Sequence, residues 1–279
     1  VVLEKMQVPI RKEPDLAKWE EFLFRLKHPL ADVQIGLVGK YVELKDAYKS
    51  ISEAFVHAGA ANQLKVKLKM IHSESINSGT VKHFLKDLDG ILVAPGFGER
   101  GIEGKIMAIK YARENKIPFL GICLGMQCAV VEFGRNVLKF TDAHSTEMNP
   151  ATPFPVIDIM EEQKKISNKG GTMRLGVYPC TIEQGTKSFD VYGTSEIRER
   201  HRHRFEFNNK YLENYNKAGM LTIGINRQDN LVEMIELKDH PWFIGVQFHP
   251  EYRSTVACPH PLFVSFVHAA GQFHKTEIK

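Results

Sequence analysis

The 279-residue sequence lacks the features that would place it in several special classes of protein. No apolar run approaches the ~18 residues of a membrane span, and the first residues do not form a signal peptide. The net charge of +4 is small for this length, so the composition does not indicate a nucleic-acid-binding protein. We therefore expect neither a membrane protein nor a nucleic-acid partner.

Cysteine is also scarce, and the spacing of the four cysteines matches neither a metal-ligand motif nor a disulfide framework. Scattered cysteines are typical of a reducing compartment, so we expect a cytoplasmic protein in which any functional cysteine acts as a thiol. A chain of this size buries roughly three quarters of its unfolded surface, so its core needs neither metal nor disulfide. The first residue is not Met, which suggests a fragment.

From residue 32 onward, short apolar strands alternate with amphipathic helices. The predicted strands span 33–39, 66–72, 89–94 and 118–122. The predicted helices span 46–60, 105–115, 124–133 and, near the end, 260–274. Between residues 173 and 248 the pattern predicts four more β-like stretches, 173–182, 221–226, 231–237 and 242–248. This alternation predicts an α/β fold in which a mostly parallel central sheet is covered by helices on both faces, giving three layers.

Residues 1–30 are predicted to form an arm before the main domain, 31–279. Prolines punctuate the arm, and after Pro14 the residue Asp15 is placed to cap a helix. One face of this helix is apolar, with Leu16, Trp19, Phe22, Leu23 and Leu26 at helical spacing. That face either packs on this domain or docks on a domain outside the given sequence.

The stretch 119–127 has the form of a nucleophile elbow. A predicted strand ends in Gly121-Ile122-Cys123-Leu124-Gly125, and a helix follows at once. The residues two before and two after such a nucleophile must be small, and both are glycine here. The Cys123 thiol would lie at a helix N-terminus, which favours the thiolate. For this stretch alone, a buried structural cysteine between packing glycines is the alternative.

Another apolar strand, predicted over 242–248, ends in His249-Pro250-Glu251. The carboxyl ends of parallel strands meet at one edge of a sheet, so we expect these side chains near Cys123. An imidazole suits proton transfer from the thiol to a leaving amine, and a carboxylate can hold that imidazole in orientation. Alone, the tripeptide is more often a plain polar turn. Together with the cysteine elbow, it predicts a Cys123-His249-Glu251 triad.

A third strand ends in the glycine-rich turn Pro95-Gly96-Phe97-Gly98. Glycine lets the backbone approach a ligand closely. The N–H of Gly96, beside that of Leu124, could therefore stabilise the oxyanion of a tetrahedral intermediate. A simple tight turn is the default interpretation of this sequence. No Gly-Lys-Ser/Thr follows, which excludes a phosphate-binding P-loop here.

These three segments together resemble the class I, or triad-type, glutamine amidotransferases. The stretches 143–148, 168–176 and 199–208 narrow the resemblance to the CTP synthase family, nearer its bacterial than its animal form. The resemblance covers about residues 32–273 and implies a flavodoxin-like fold. The arm resembles the end of that family's interdomain connection, and the family's amino-terminal synthetase domain is absent from this sequence.

The resemblance implies a role for each residue of the predicted catalytic site. Cys123 would be the nucleophile that forms a γ-glutamyl thioester. His249 would act as acid and base, with Glu251 as its orienting carboxylate. Gly96 and Leu124 would donate to the oxyanion and contact the glutamine.

Three further residues, Gln127, Glu147 and Arg204, would bind the α-amino and α-carboxylate groups of glutamine. An acceptor carboxylate suits an ammonium group, and a guanidinium suits a carboxylate through a bidentate fork. For Glu147, a residue at the start of a helix is the alternative.

By the same resemblance, ammonia from L-glutamine would pass to the synthetase domain, which uses ATP and Mg²⁺ to aminate UTP to CTP in pyrimidine nucleotide biosynthesis. GTP would be an allosteric activator, with residues 98–104 as a candidate lid. We expect no cofactor or metal in this chain, and a homo-oligomer when the protein is full length.

The basic run from Arg200 to Arg204 requires its own interpretation. In a strand, Arg200, Arg202 and Arg204 would face one side and His201 and His203 the other. Such a run is usually a solvated face or a nucleic-acid patch. Glutamates near the run reduce the net positive charge of any such patch, so we favour a role for the run in substrate binding and at an interface.

Two other functions stay open. The first is a glutaminase of another pathway, or a γ-glutamyl hydrolase with the same triad. The second is a catalytically silent module that binds the synthetase domain or builds oligomers.

Overall fold

The computed structural model describes residues 2–8, 15–44, 46–159 and 173–277. Its helices are α1 (Val2–Lys5), α2 (Ala17–Lys27), α3 (Lys49–Asn62), α4 (Val81–Leu85), α5 (Ile102–Glu114), α6 (Leu124–Asn136), α7 (Lys187–Tyr192), α8 (Leu212–Ala218) and α9 (Pro261–Glu277). Its strands are β1 (Ala31–Gly39), β2 (Leu64–His72), β3 (Gly90–Val93), β4 (Phe119–Ile122), β5 (His144–Ser145), β6 (Pro155–Ile159), β7 (Arg174–Ile182), β8 (Glu196–His203), β9 (Phe205–Phe207), β10 (Met220–Asn226), β11 (Leu231–Leu237) and β12 (Phe243–Val246). Of the stretch 168–176, the part before residue 173 lies outside the described residues.

Nine strands form one mixed sheet in the order β2-β1-β3-β4-β12-β11-β10-β7-β8. The five strands from β2 to β12 pair in parallel, and the four pairings from β12 to β8 are antiparallel. The α/β class is confirmed, but the sheet is parallel over only this first half. Short connections, such as residues 227–230 between β10 and β11, permit antiparallel pairing, whereas parallel neighbours need a longer crossover.

Helices cover both faces of the parallel half. Helices α3 and α9 pack together on one face, and α5 and α6 pack together on the other. Every residue of β3, β4 and β12 is buried, because each of these strands has a helical layer on both sides. This explains why their sequences are continuous apolar runs rather than alternating ones. A small second sheet, β5-β6-β9, packs against α6.

The described part of the arm contains the predicted helix, α2, lying on α3. Asp15 accepts a hydrogen bond from the Ala17 N–H at 3.1 Å, although the N-cap position itself belongs to Leu16. No residue of α2 is buried, and Trp19 remains 50% exposed. Arg25 ties the helix to α3 by donating to the Ala61 carbonyl. Within the described ranges, no helix is both long and apolar enough to cross a bilayer.

Candidate active site

Cys123 lies at the sharp turn between β4 and α6. Its backbone has φ 52° and ψ −105°, a conformation that non-glycine residues rarely adopt. A Cβ added to Gly125 would lie 2.2 Å from the Val93 carbonyl oxygen, and one added to Gly121 would lie 2.9 Å from the Gly125 backbone. Glycine is therefore required on both sides of the cysteine. The turn has the geometry of a nucleophile elbow.

The predicted base and its partner lie beside this turn because β12 is the parallel neighbour of β4. The Cys123 N–H donates to the Val246 carbonyl at 2.7 Å, which continues the ladder to the end of β12. His249 and Glu251 follow within five residues, and both are buried. His249 Nδ1 lies 2.8 Å from a Glu251 carboxylate oxygen. The imidazole is thus held at one nitrogen by a carboxylate.

The electrostatics of His249 favour its charged form. Burial by itself lowers the pKa of His249, but the Cys123 sulfur and the Glu251 carboxylate outweigh it and raise the pKa above its usual value. Nε2 has no hydrogen-bond partner among the described residues. The ring also stacks on Tyr252, with centroids 5.3 Å apart. The arrangement can hold an imidazolium proton next to a sulfur nucleophile.

The residues that carry the two predicted oxyanion donors, Gly96 and Leu124, are neighbours in the fold. A Cβ on Gly96 would approach the Leu124 side chain to 3.5 Å. In the part of the chain that the structure covers, neither backbone N–H donates to a protein acceptor. Leu124 is the first residue of α6, where N–H groups have no partner within the helix. Both amides are therefore available to a ligand oxygen.

A small pocket connects the elbow with the predicted glutamine-binding residues. It is lined by Gly96, Phe97, Cys123, Gln127, Glu147, His203, Arg204 and Phe205. Five of the eight predicted site residues are in this set. The other three adjoin it at Cys123: Leu124 is next in the chain, and His249 and Glu251 form the pair described above.

The polar side chains of the pocket are fixed by contacts with the protein. Glu147 accepts a hydrogen bond from the Gly98 N–H at 2.9 Å, which ties it to the glycine-rich turn. The Gln127 amide nitrogen donates to the Phe205 carbonyl at 2.9 Å and to Gln247 at 3.1 Å. The Gln127 carbonyl oxygen is thus the part of that side chain left for a ligand.

The structure changes the predicted position of Arg204. Strand β8 alternates as predicted, with Arg200 and Arg202 exposed and His201 and His203 buried. The strand ends at His203, however, and Arg204 occupies a bend. Arg204 therefore leaves the exposed arginine face and lines the pocket instead. The prediction of one common face for all three arginines was wrong for this reason.

Several pocket residues were not predicted from the sequence. Phe97, His203 and Phe205 line the cavity, and the amide of Gln247 lies 3.6 Å from the Cys123 sulfur. Gln247 carried a usable signal, since it is a polar residue between two apolar ones at the carboxyl end of a strand. The contacts of Phe97 and Phe205 depend on the folding of distant segments.

A buried charged network adjoins the pocket through His203. Arg174 contacts Glu233 and lies 3.6 Å from Glu206, while His201 Nδ1 lies 2.9 Å from His203 Nε2. Burial lowers the pKa of both imidazoles well below their usual value. Burial also raises the pKa of both carboxyls, that of Glu233 to about 7.

Three groups of this network have the spacing of a metal site. One ligand atom each from His201, His203 and Glu233 lies within 4.8 Å of the others. The fit to a divalent cation is poor, because the Arg174 guanidinium already contacts the Glu233 carboxylate and would repel the ion. We interpret the network as structural.

Known proteins match both the sequence and the fold of this chain. The profile of the glutamine amidotransferase class-I family matches residues 43–269. CTP synthases of Cytophaga hutchinsonii and Christiangramia forsetii are 62% and 61% identical over 98% of this chain, which spans 51% and 50% of their lengths. The solved glutaminase domain of Trypanosoma brucei CTPS with bound acivicin is 36% identical. Its TM-score is 0.81, and the match covers 86% of this chain and 94% of that one.

Proposed function

The chain belongs to the class I glutamine amidotransferase family and corresponds to the glutaminase half of CTP synthases, and on this premise we propose that it hydrolyses L-glutamine through a thioester on Cys123. The observation that carries the proposal is the convergence of Cys123 with the hydrogen-bonded His249–Glu251 pair. Their strand ends meet beside a pocket that also holds Glu147 and Arg204.

Substrate binding follows from the charges of the pocket. The Arg204 guanidinium would pair with the α-carboxylate of glutamine, and Glu147 with the α-ammonium, assisted by the Gln127 carbonyl oxygen. These contacts fix both ends of the amino-acid moiety. The side-chain amide is then directed to Cys123, and its oxygen to the N–H groups of Gly96 and Leu124.

The chemistry then uses the triad twice. The Cys123 thiolate attacks the amide carbon, and the two backbone N–H groups stabilise the oxyanion. His249 gives its proton to the leaving nitrogen, the C–N bond breaks, and ammonia leaves a γ-glutamyl thioester. His249 next takes a proton from water, whose oxygen attacks the thioester; the C–S bond breaks, which releases glutamate and restores the Cys123 thiolate beside the protonated His249. Glu251 holds His249 in orientation during both steps.

The wider setting comes from the relatives rather than from this chain. We propose that the ammonia serves an amino-terminal synthetase domain that aminates UTP with ATP and Mg²⁺, and that GTP regulates the enzyme. Under this proposal residues 1–30 connect the two domains, 31–279 form the glutaminase domain, and the full-length protein is a cytoplasmic homo-oligomer.

The test measures ammonia release from glutamine by the chain and by Cys123→Ala. We expect the substitution to lower the rate by at least about 10⁴-fold, since the nucleophile is removed. Mass spectrometry after treatment with 6-diazo-5-oxo-norleucine should place the adduct on Cys123. An unchanged rate in Cys123→Ala would refute the proposal, and the same substitution leaving glutamine turnover of a full-length enzyme intact would support a silent module.

Two further results separate the remaining alternatives. Faster release from γ-glutamyl peptides than from glutamine would favour a γ-glutamyl hydrolase. We also expect the isolated chain to be slower than a full-length enzyme, because the arm and the loop 98–104 lack their partner domain. Full activity in the isolated chain would contradict that expectation.

A further inference from the structure

A buried lysine lies directly behind the oxyanion turn. Lys105, in the first half of α5, is fully buried, and its ammonium donates to the Ala94 carbonyl at 2.6 Å. A Cβ on Gly96 would lie 3.8 Å from Lys105 Nζ. The positive charge therefore lies within van der Waals contact of the Cβ position of Gly96, the residue that carries the proposed oxyanion donor.

Nothing in the described residues neutralises this charge. Within that part of the chain, the Lys105 ammonium contacts the Ala94 carbonyl and forms no ion pair with a carboxylate; the titratable groups near it are Cys128, Lys40 and Cys123. Burial lowers the pKa of Lys105 to about 8. An unpaired buried cation costs considerable free energy. Such a cost is expected where an anion forms during function.

The rest of the turn is held in a similar way by a second lysine. Lys40, at the end of β1, donates to the carbonyls of Phe97 and Gly98. Together with Lys105 it fixes the backbone carbonyls on either side of Gly96. The orientation of the Gly96 N–H thus depends on two ammonium groups that point away from solvent.

We propose that Lys105 is a positioning residue of the oxyanion site, which holds the turn 94–98 through the Ala94 carbonyl and stabilises by its charge the anionic states formed at Cys123. Those states are the thiolate and the tetrahedral oxyanion. The inference rests on the proposed function, because it concerns the same reaction.

The experiment separates the charge of Lys105 from its hydrogen bond and its volume. Lys105→Met keeps the length but removes both charge and donor, Lys105→Gln keeps a donor without charge, and Lys105→Arg keeps the charge. Lys110→Met removes the same charge from the same helix at a position away from the turn. Each variant is assayed for glutamine hydrolysis and for alkylation of Cys123 by iodoacetamide between pH 6 and 9.

We expect Lys105→Met to move the midpoint of the alkylation profile upward by about half to one pH unit, because a nearby cation favours the thiolate. Its kcat should fall about tenfold, because the Gly96 N–H is displaced only indirectly, through the turn that Lys105 holds. KM should change little, because Lys105 does not contact the substrate. Lys105→Gln should show the same pH shift with a smaller loss of kcat. Lys105→Arg and Lys110→Met should retain the parent profile.

The inference is overturned if folded Lys105→Met keeps the parent alkylation profile and kcat while the parent hydrolyses glutamine. That result would leave the proposed function intact. If circular dichroism shows that Lys105→Met is unfolded, Lys105→Gln decides: a shifted profile supports the inference, and an unshifted one refutes it. A parent chain that neither hydrolyses glutamine nor is alkylated at Cys123 would instead refute the proposed function.

Discussion

The two halves of the central sheet bury different kinds of side chain. In the parallel half, β3, β4 and β12 are apolar and buried on both faces, and the polar groups of the site follow the strand ends. In the antiparallel half, strands β7, β8 and β11 bury charged and imidazole side chains within the sheet itself: Arg174, His201, His203 and Glu233.

The parallel half thus carries the reacting groups, and the antiparallel half carries part of the wall of the proposed substrate pocket. The parallel half owes its stability to non-directional apolar burial, and the pairing of β4 with β12 brings Cys123 and His249 to one sheet edge, where the His249 N–H also donates to the Arg200 carbonyl of β8. The antiparallel half instead packs buried charged side chains against one another, and it delivers His203 and Arg204 to the pocket at the end of β8. A substitution should therefore damage the reaction in one half and the stability of the pocket wall in the other.

The largest effect is expected from Glu251→Gln at the edge of the parallel half. Without the carboxylate, the His249 ring loses its orientation and the partner that favours its charged form, so kcat for glutamine hydrolysis should fall about 10³- to 10⁴-fold. KM should change little, because Glu147 and Arg204 are intact. Glu213→Gln, an exposed change on α8, is the matched control. A tenfold rise in KM for Glu251→Gln would contradict the separation of the two roles.

The antiparallel half is tested by Arg174→Met. Removing the guanidinium leaves Glu206 and Glu233 without their shared cation, and breaking a buried ion pair in this way costs about 3–5 kcal/mol. Urea denaturation measures the loss. Arg198→Met, an exposed change on β8, should alter the free energy of unfolding by less than about 0.5 kcal/mol. Equal stability of the two variants would show that the network is not energetically coupled.

The change in the free energy of unfolding at acid pH should also differ between the two halves, by a smaller amount. Burial lowers the pKa of His240, packed against α5 beside the parallel half, to about 4. Below pH of about 6.5, His240 becomes protonated in the unfolded chain but stays neutral in the folded chain. Protonation therefore favours the unfolded state, and the free energy of unfolding decreases as the pH falls. Between pH 7 and 4.5 the free energy of unfolding should drop about 2–3 kcal/mol less in His240→Gln than in the parent.

The network in the antiparallel half should respond less, since its two kinds of group act in opposite directions. Burial lowers the pKa of His201 and His203 but raises that of Glu206 and Glu233. Acid therefore disfavours folding through the imidazoles and favours it through the carboxyls. Urea denaturation of the parent and of His240→Gln across this pH range measures both contributions. A parent and variant with identical acid sensitivity would show that His240 is not the responsible group.

Much of the parallel half could be predicted from the sequence because its signals are local. An apolar run marks each buried strand, and the predicted strands and helices lie within a few residues of those observed. The glycines around Cys123 indicated the elbow, since only small residues fit two positions away on either side. The roles of Cys123, His249 and Glu251 remain predictions that the proposed assays test.

The antiparallel half was less predictable because its order depends on distant partners. Alternation in β8 separated arginines from histidines, but it did not show that the strand ends before Arg204. Nor does the sequence show that Arg174 meets Glu233, 59 positions away along the chain.

The sequence by itself determined the main strands and helices of the parallel half, the elbow and the residue types of the triad, because steric demands and hydrophobic periodicity act between near neighbours. Only the tertiary structure decided which charges are buried together and how Lys105 comes to lie behind the oxyanion turn. The physical reason is that burying a charge is unfavourable until a specific partner or carbonyl meets it, and that partner is supplied by packing rather than by the local chain.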